Sequence, residues 1–199
     1  MPNWCENAIT IDGDDESLDA LWEVIKPVEE GDPADLTKAF PCPEPLKQTM
    51  AGFMAEDDEG YATWVAQKAA NIAEYGSADW YDWCNRNWGT KWSPDFDYNN
   101  SDTLGISLWG DSAWSPPIEL LQNVSRQYPS LTFTIVYSEM GCDFVGAAVV
   151  RAGVIVGDSS GEISPHVTVD YDSDEYFEIV NETVIALREQ HLASACSMV

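Results

Sequence analysis

The sequence predicts an α+β sandwich, and three observations carry that prediction. The chain has 199 residues, 45% apolar and 12% aromatic, enough to bury one core. Segments of period two and period 3.6 follow one another as strand, helix, strand, strand, helix, strand, with a long helical insertion after the first helix. The chain is also too aromatic to be a disordered acidic segment, since nine Trp, eight Tyr and six Phe are spread along almost its whole length.

Asn7 to Asp12 alternates apolar and polar residues and stops at Gly13, the pattern of a half-buried strand. A helix follows, capped by Asp14 or Asp15, with Leu18, Leu21, Trp22 and Ile25 at helical spacing and Pro27 closing it. Residues 28 to 60 hold four of the eleven prolines and two acidic clusters, so an irregular insertion with short helices is expected. Tyr61, Trp64, Val65 and Ile72 mark another helix closed by Gly76, and Ala78 to Asn87 one more. Lys91 to Tyr98 and Thr103 to Trp109 read as strands flanking the turn residues Asn99, Asn100, Ser101 and Asp102. Ser115-Pro116-Pro117 reads as a helix start, Ile118, Leu121 and Val124 as its stripe, Tyr128-Pro129 as its stop, and Leu131 to Tyr137 as a strand.

That βαββαβ order is the order of a ferredoxin-like sandwich. Beyond it, Asp143 to Val150, Val154 to Gly157 and Ile163 to Val169 extend the β region. A final helix over Glu175 to His191 turns Phe177, Val180, Val184 and Leu187 inward. The expected organisation is one domain over 1–199: core elements in 1–27 and 88–150, a helical insertion over 28–87, and an acidic C-terminal extension over 151–199.

Thirty-five Asp and Glu against nine Lys and Arg leave a formal charge of −26. Such a chain repels nucleic acid, anionic lipid and phosphate, and either tolerates its own repulsion or meets a strongly basic partner. No apolar run approaches the roughly 20 residues of a membrane span, and the amino terminus has no basic or apolar leader, so a cytoplasmic protein is expected. Five scattered cysteines without a Cys-x-x-Cys predict free thiols in a reducing compartment rather than disulfides or zinc.

Catalytic signatures are weak. Trp80, Trp83, Trp88, Trp92, Trp109 and Trp114, interleaved with Arg86 and Lys91, admit a stacking platform for bases or sugars. A core and rim of aromatics, with Lys91 across an indole face and Trp4 and Cys5 pinning the first strand to the cluster, is the simpler expectation. Gly157-Asp158-Ser159-Ser160-Gly161 satisfies the Gly-x-Ser-x-Gly pattern but is followed by a strand rather than a helix, and only His166 and His191 are available as base. A hairpin turn is the expectation there. Asp170 to Glu175 begins like a calcium loop, but Glu175 stands where glycine is needed and Asn181 where a bidentate glutamate belongs. No Walker loop or Gly-x-Gly-x-x-Gly occurs, so no cofactor, no catalytic residue and no metal ligand is assigned.

Four blocks occur in order: MPNWCENAITIDG at 1–13, NRNWGTKW at 85–92, SAWSPP at 112–117 and YSEMGCDFVG at 137–146. Together they resemble the YubB ferredoxin-like proteins carried by phages and plasmids. The resemblance covers residues 1 to about 150 and implies a ferredoxin-like α+β fold and residence on mobile elements. It brings no catalytic residues.

Charge then carries the functional expectation. Positions 152 to 187 hold eight acids and no Lys or Arg. Duplex DNA carries one charge per ~1.7 Å of axis, and ordered surface carboxylates present a comparable field. The expected function is a phage or plasmid accessory protein that inhibits a host nucleic-acid-binding defence enzyme, of restriction or CRISPR type, by DNA mimicry. Its acids are Asp14, Asp15, Glu16 and Asp19 with Asp170, Asp172, Asp174, Glu175, Glu178 and Glu182. The partner is a basic host protein, without direct contact to nucleic acid or membrane. The alternatives are an acidic protein adapted to a salty cell, and a small enzyme with a Trp-lined concavity and a carboxylate pair.

Overall fold

The computed structural model describes residues 3–29, 31–101, 105–169 and 172–199. Strand β1 (Trp4–Asp12) alternates strictly, with Cys5, Asn7, Ile9 and Ile11 inward and the residues between them exposed. Helix α1 (Asp15–Ile25) starts at Asp14, whose carboxylate accepts the Ser17 N–H at 2.9 Å, and buries Leu21 and Ile25. The insertion contains a 3-10 turn (Leu36–Lys38), α2 (Glu44–Lys47), α3 (Tyr61–Tyr75) and α4 (Trp80–Asn87). Gly76 closes α3 in the left-handed conformation, as its position predicts.

Strands β2 (Asp95–Ser101) and β3 (Gly105–Ala113) are followed by α5 (Ile118–Gln127) and β4 (Thr132–Glu139). Strands β5 (Phe144–Arg151) and β6 (Val154–Gly161) and helix α6 (Tyr176–Cys196) complete the chain. All pairings are antiparallel and the sheet order is β2-β3-β1-β4-β5-β6. The first four strands thus form a split βαβ sheet in which β3 inserts between β1 and β2, confirming the ferredoxin-like α+β class.

One face of the sheet, through Ile9, Ile11, Ile106, Leu108, Phe133 and Ile135, packs on Leu21 and Ile25 of α1 and Leu120, Leu121 and Val124 of α5. Trp83, Trp88, Leu36 and Leu46 of the insertion join that core, each such burial stabilising the fold by about 1.5–3 kcal/mol. Among the described residues the opposite face is covered only toward β4, β5 and β6, where α6 lies on Val145, Ala147 and Val149. Strand β5 is therefore buried on both sides, which its nearly continuous apolar run requires.

Several local expectations are corrected. The second strand begins at Asp95, not Lys91, and Asn99 to Ser101 continue its ladder to Ser101 opposite Gly105 because β3 satisfies their backbone; Asp102, Thr103 and Leu104 lie outside the described residues. Ser115 does not cap α5: its hydroxyl donates to the Gly89 carbonyl instead. Ile163 to Val169 do not form a strand. The Asp143 carboxylate takes the Ile163 and Ser164 N–H groups at 3.0 and 2.7 Å and the Ser164 hydroxyl at 2.6 Å, turning Ser164–His166 into a 3-10 helix. Phe177 is 69% exposed, because the stripe Val180, Val184, Leu187, His191 extends backward to Tyr176 rather than to its neighbour.

Candidate functional site

The blocks that carry the family resemblance converge on one buried polar network. Asn7, 3% exposed, donates through Nδ2 to the Cys5 carbonyl (2.8 Å), the Gly110 carbonyl (3.1 Å) and Ser112 Oγ (2.9 Å). Ser112 Oγ donates onward to the Ser115 carbonyl at 2.7 Å. Thr90 is bonded both ways to Ala113, its hydroxyl donating to the carbonyl and accepting the N–H, each at 3.0 Å. Gly89 has φ +77°, and a Cβ there would crowd Glu119 and the Pro116 carbonyl, so glycine is required. A second anchor lies at Glu139, which accepts the Gly141 N–H at 2.8 Å, the Cys142 N–H, and Asn3 Nδ2 at 3.4 Å. Burial works against its charge, but these bonds, with that of the Cys142 side chain, hold the Glu139 carboxyl below its usual range.

This scaffold places a set of indoles on the outside. Trp83 and Trp88 are core residues, and Trp88 Nε1 donates to the Phe40 carbonyl at 2.9 Å. Trp4, Trp92, Trp109 and Trp114 are 40–51% exposed. The Trp-rich block is thus divided between core and surface. Trp4 and Trp92 lie 6.3 Å apart, centroid to centroid, and Lys91 Nζ sits 4.2 Å above the Trp92 ring, the expected cation–π pair.

The half of the sheet that α6 leaves uncovered carries its own chemistry. On β2, Asp95 and Asp97 alternate with the inward residues Phe96 and Tyr98; Asp95 stands opposite Asp111, and Asp97 opposite Trp109. A cleft of about 390 Å³ opens over them, lined by Trp4, Trp92, Trp109, Asp95, Asp97 and Asp111. Gly110 has room for no side chain, since a Cβ would strike the Asp95 carbonyl, so β2 approaches β3 closely beside this cleft. Like charges opposed across a ladder destabilise it, and none of the three aspartates has an ion-pair partner among the described residues. The alternation of Asp95 and Asp97 was the available sequence signal for this site, obscured by starting the strand at Lys91.

The acids expected at a partner surface fall into two groups. Asp14, Asp15, Glu16 and Asp19 are exposed on the first turns of α1. Asp172, Asp174, Glu175, Glu178 and Glu182 are exposed before and along α6; Asp170 lies outside the described residues. Because α1 and α6 pack on opposite faces of the sheet, these groups do not merge into one patch.

The Gly-x-Ser-x-Gly stretch lies within β6 rather than in a turn; the β5–β6 turn is at Ala152-Gly153, both with positive φ. The fold brings Ser159 Oγ to 2.8 Å from His191 Nδ1, which is 8% exposed. The two glycines accommodate α6, Gly157 against the Ala195 carbonyl and Gly161 against the His191 ring. The pair therefore rivets α6 to the sheet. All five cysteines are free, and burial pushes the Cys5 thiol up to about 12. Among the described residues no group of three or more His, Cys, Asp or Glu could hold a metal ion, and no helix is long and apolar enough to cross a membrane.

Strand order, two-sided packing and an open acidic half-face define a ferredoxin-like α+β protein. Residues 71–181 match the family described as the ferredoxin-like domain in Api92-like protein, and the chain belongs to that family. The match holds β2 to β6 and the start of α6, running well past residue 146, where the last recognisable block ends. A solved crystal structure, protein api92 from Yersinia pseudotuberculosis, is 13% identical with a TM-score of 0.49, over 81% of this chain and 98% of that chain. No curated protein matches.

Proposed function

We propose that this protein is a protein-binding acidic decoy that docks the basic groove of a host nucleic-acid-binding enzyme and competes with DNA there. One observation carries the reading: every Lys and Arg side chain is already engaged by a partner within the chain. Lys26, Lys47, Lys68, Arg86 and Arg188 form ion pairs with acids of the chain. Lys91 lies on Trp92, Lys38 donates to the Lys26 carbonyl, Arg126 to Asn123 and Gly153, and Arg151 to Thr132. The excess of carboxylates therefore faces outward without internal compensation, on positions fixed by a packed core. The likeness of its blocks to YubB proteins adds residence on a phage or plasmid, where an inhibitor of restriction or CRISPR-type defence has a use.

The test is a salt-gradient capture from host lysate followed by competition. A basic nucleic-acid enzyme that elutes at moderate salt and is displaced by duplex DNA supports the decoy. Retention that survives high salt, or indifference to DNA, counts against it. Unfolding as salt is withdrawn, with no captured enzyme, favours the acidic surface as adaptation to a salty cell.

A further inference from the structure

We infer that the cleft over β2, β3 and β1 is a receptor for arginine side chains of a basic protein partner. The inference deepens the decoy reading and rests on it for the partner's identity, but the cleft's chemistry stands on its own residues. Three indoles, Trp4, Trp92 and Trp109, share one cavity of about 390 Å³ with three carboxylates, Asp95, Asp97 and Asp111. Exposed tryptophans alone would serve a base or a sugar; surrounded by acids on a chain of net charge −26, they reject a polyanion and favour a cation. The fold supplies its own precedent, for Lys91 already rests 4.2 Å over Trp92 from the neighbouring cleft that it lines.

The cation that fits best is planar. Asp95 and Asp111 oppose each other across the ladder, and Asp97 opposes Trp109. A guanidinium presents a flat face to an indole and a fork of donors to carboxylates at once, whereas an ammonium is a point charge that satisfies one or the other. No ion pair within the described fold supplies that cation to the three aspartates, and no described helix covers the face of β2 and β3 that carries them. Beside Asp95 and Asp97 the outer edge of β2 is occupied at Phe96 by the Ala34 bridge, so at this point a partner reaches the cleft with side chains.

The test uses the full chain and acetylated, amidated Gly-Arg-Gly-Arg-Gly, with lysine and citrulline counterparts, at ~150 mM salt where long-range charge effects are screened. Indole resonances of Trp4, Trp92 and Trp109 are followed by NMR, and variants are first matched to the parent by near-ultraviolet circular dichroism. Expected are shifts of those three indoles, a preference for arginine, and a loss of about tenfold in affinity in D95N/D97N/D111N and in W109L. The equally charged control E56Q/D57N/E59Q, on the exposed insertion loop, is expected to lose less than about twofold. Equal losses in both triple variants, equal binding of lysine, or unmoved indoles would overturn the inference. Arginine binding in the cleft without displacement of any nucleic-acid enzyme from DNA would retain the receptor and remove the decoy; displacement undiminished in D95N/D97N/D111N would do the reverse.

Discussion

Asn7 reaches from the buried side of β1 to Ser112 on β3, 2.9 Å away, and in doing so ties the amino-terminal block to the SAWSPP block. It also holds the Cys5 and Gly110 carbonyls, so one amide closes three contacts in a dry place. Asn7→Ala strips the donor and leaves acceptors buried, which is expected to cost about 1–3 kcal/mol. Urea unfolding followed by tryptophan emission would measure it; an unchanged midpoint would show the network to be dispensable.

Gly89→Ala forces a side chain into a left-handed backbone at φ +77° and against Glu119 and Pro116. The strain alone is of order 1–2 kcal/mol, with the clash added. A melting temperature within a degree of the parent would contradict it.

Lys68 and Asp79 pair at 2.9 Å with side chains 18% and 7% exposed, and Asp79 also caps α4 by accepting the Tyr81 and Asp82 N–H groups. Asp79→Ala removes the cap and the counter-charge of Lys68, leaving that cation only the Trp64 face and the Gly52 carbonyl, so a loss of about 2–4 kcal/mol is expected. Lys68→Met, which leaves the cap in place, should cost less. Parallel denaturation of the two variants decides the order.

Two groups make the fold acid-sensitive in separate pH windows. The Glu139 carboxyl is held below its usual 4.5, so its stabilisation is complete above that value and is lost as pH falls through the folded pKa. Glu139→Gln should remove that loss, and the difference between the parent and variant stability curves should shrink steadily below about pH 4.5.

His191 is held below 6.5 by burial and by His166. A depressed histidine favours the fold above its unfolded pKa and withdraws that support as pH falls from 6.5 through the folded value. His191→Gln should flatten stability across that window, and a parent profile already flat there would refute the assignment. Ser159→Ala, which removes the hydroxyl at 2.8 Å, should weaken the hold of α6 on β6 by about 0.5–1.5 kcal/mol.

The framework was legible where local pattern and tertiary role agree. β1 announces itself by strict alternation, α1 by its Asp14 cap and its Leu21 and Ile25 stripe, and α3 by its closing Gly76. Legibility failed where a distant group intervenes: the Asp143 carboxylate bends residues expected as a strand, and the Gly89 carbonyl claims the Ser115 hydroxyl expected as a cap. The cleft was half visible. Its tryptophans stood out, but their division into core and surface depends on which face α5 and the insertion cover, and local spacing does not record that. Asp95, Asp97 and Asp111 were hidden among 35 acids until the ladder set them opposite one another and beside Trp109.

The central place of β1 also bears on how the protein is made. Its two ladder partners are β3 and β4, so Ile9 waits for Leu108 on one side and Ile135 on the other. Both edges of the first strand therefore emerge from the ribosome unsatisfied and stay so until most of the chain has been synthesised. Such long-range closure slows folding and exposes strand edges to neighbouring nascent chains. The dense negative charge borne by α1 and the insertion is present throughout that interval, and its repulsion opposes association between half-made copies.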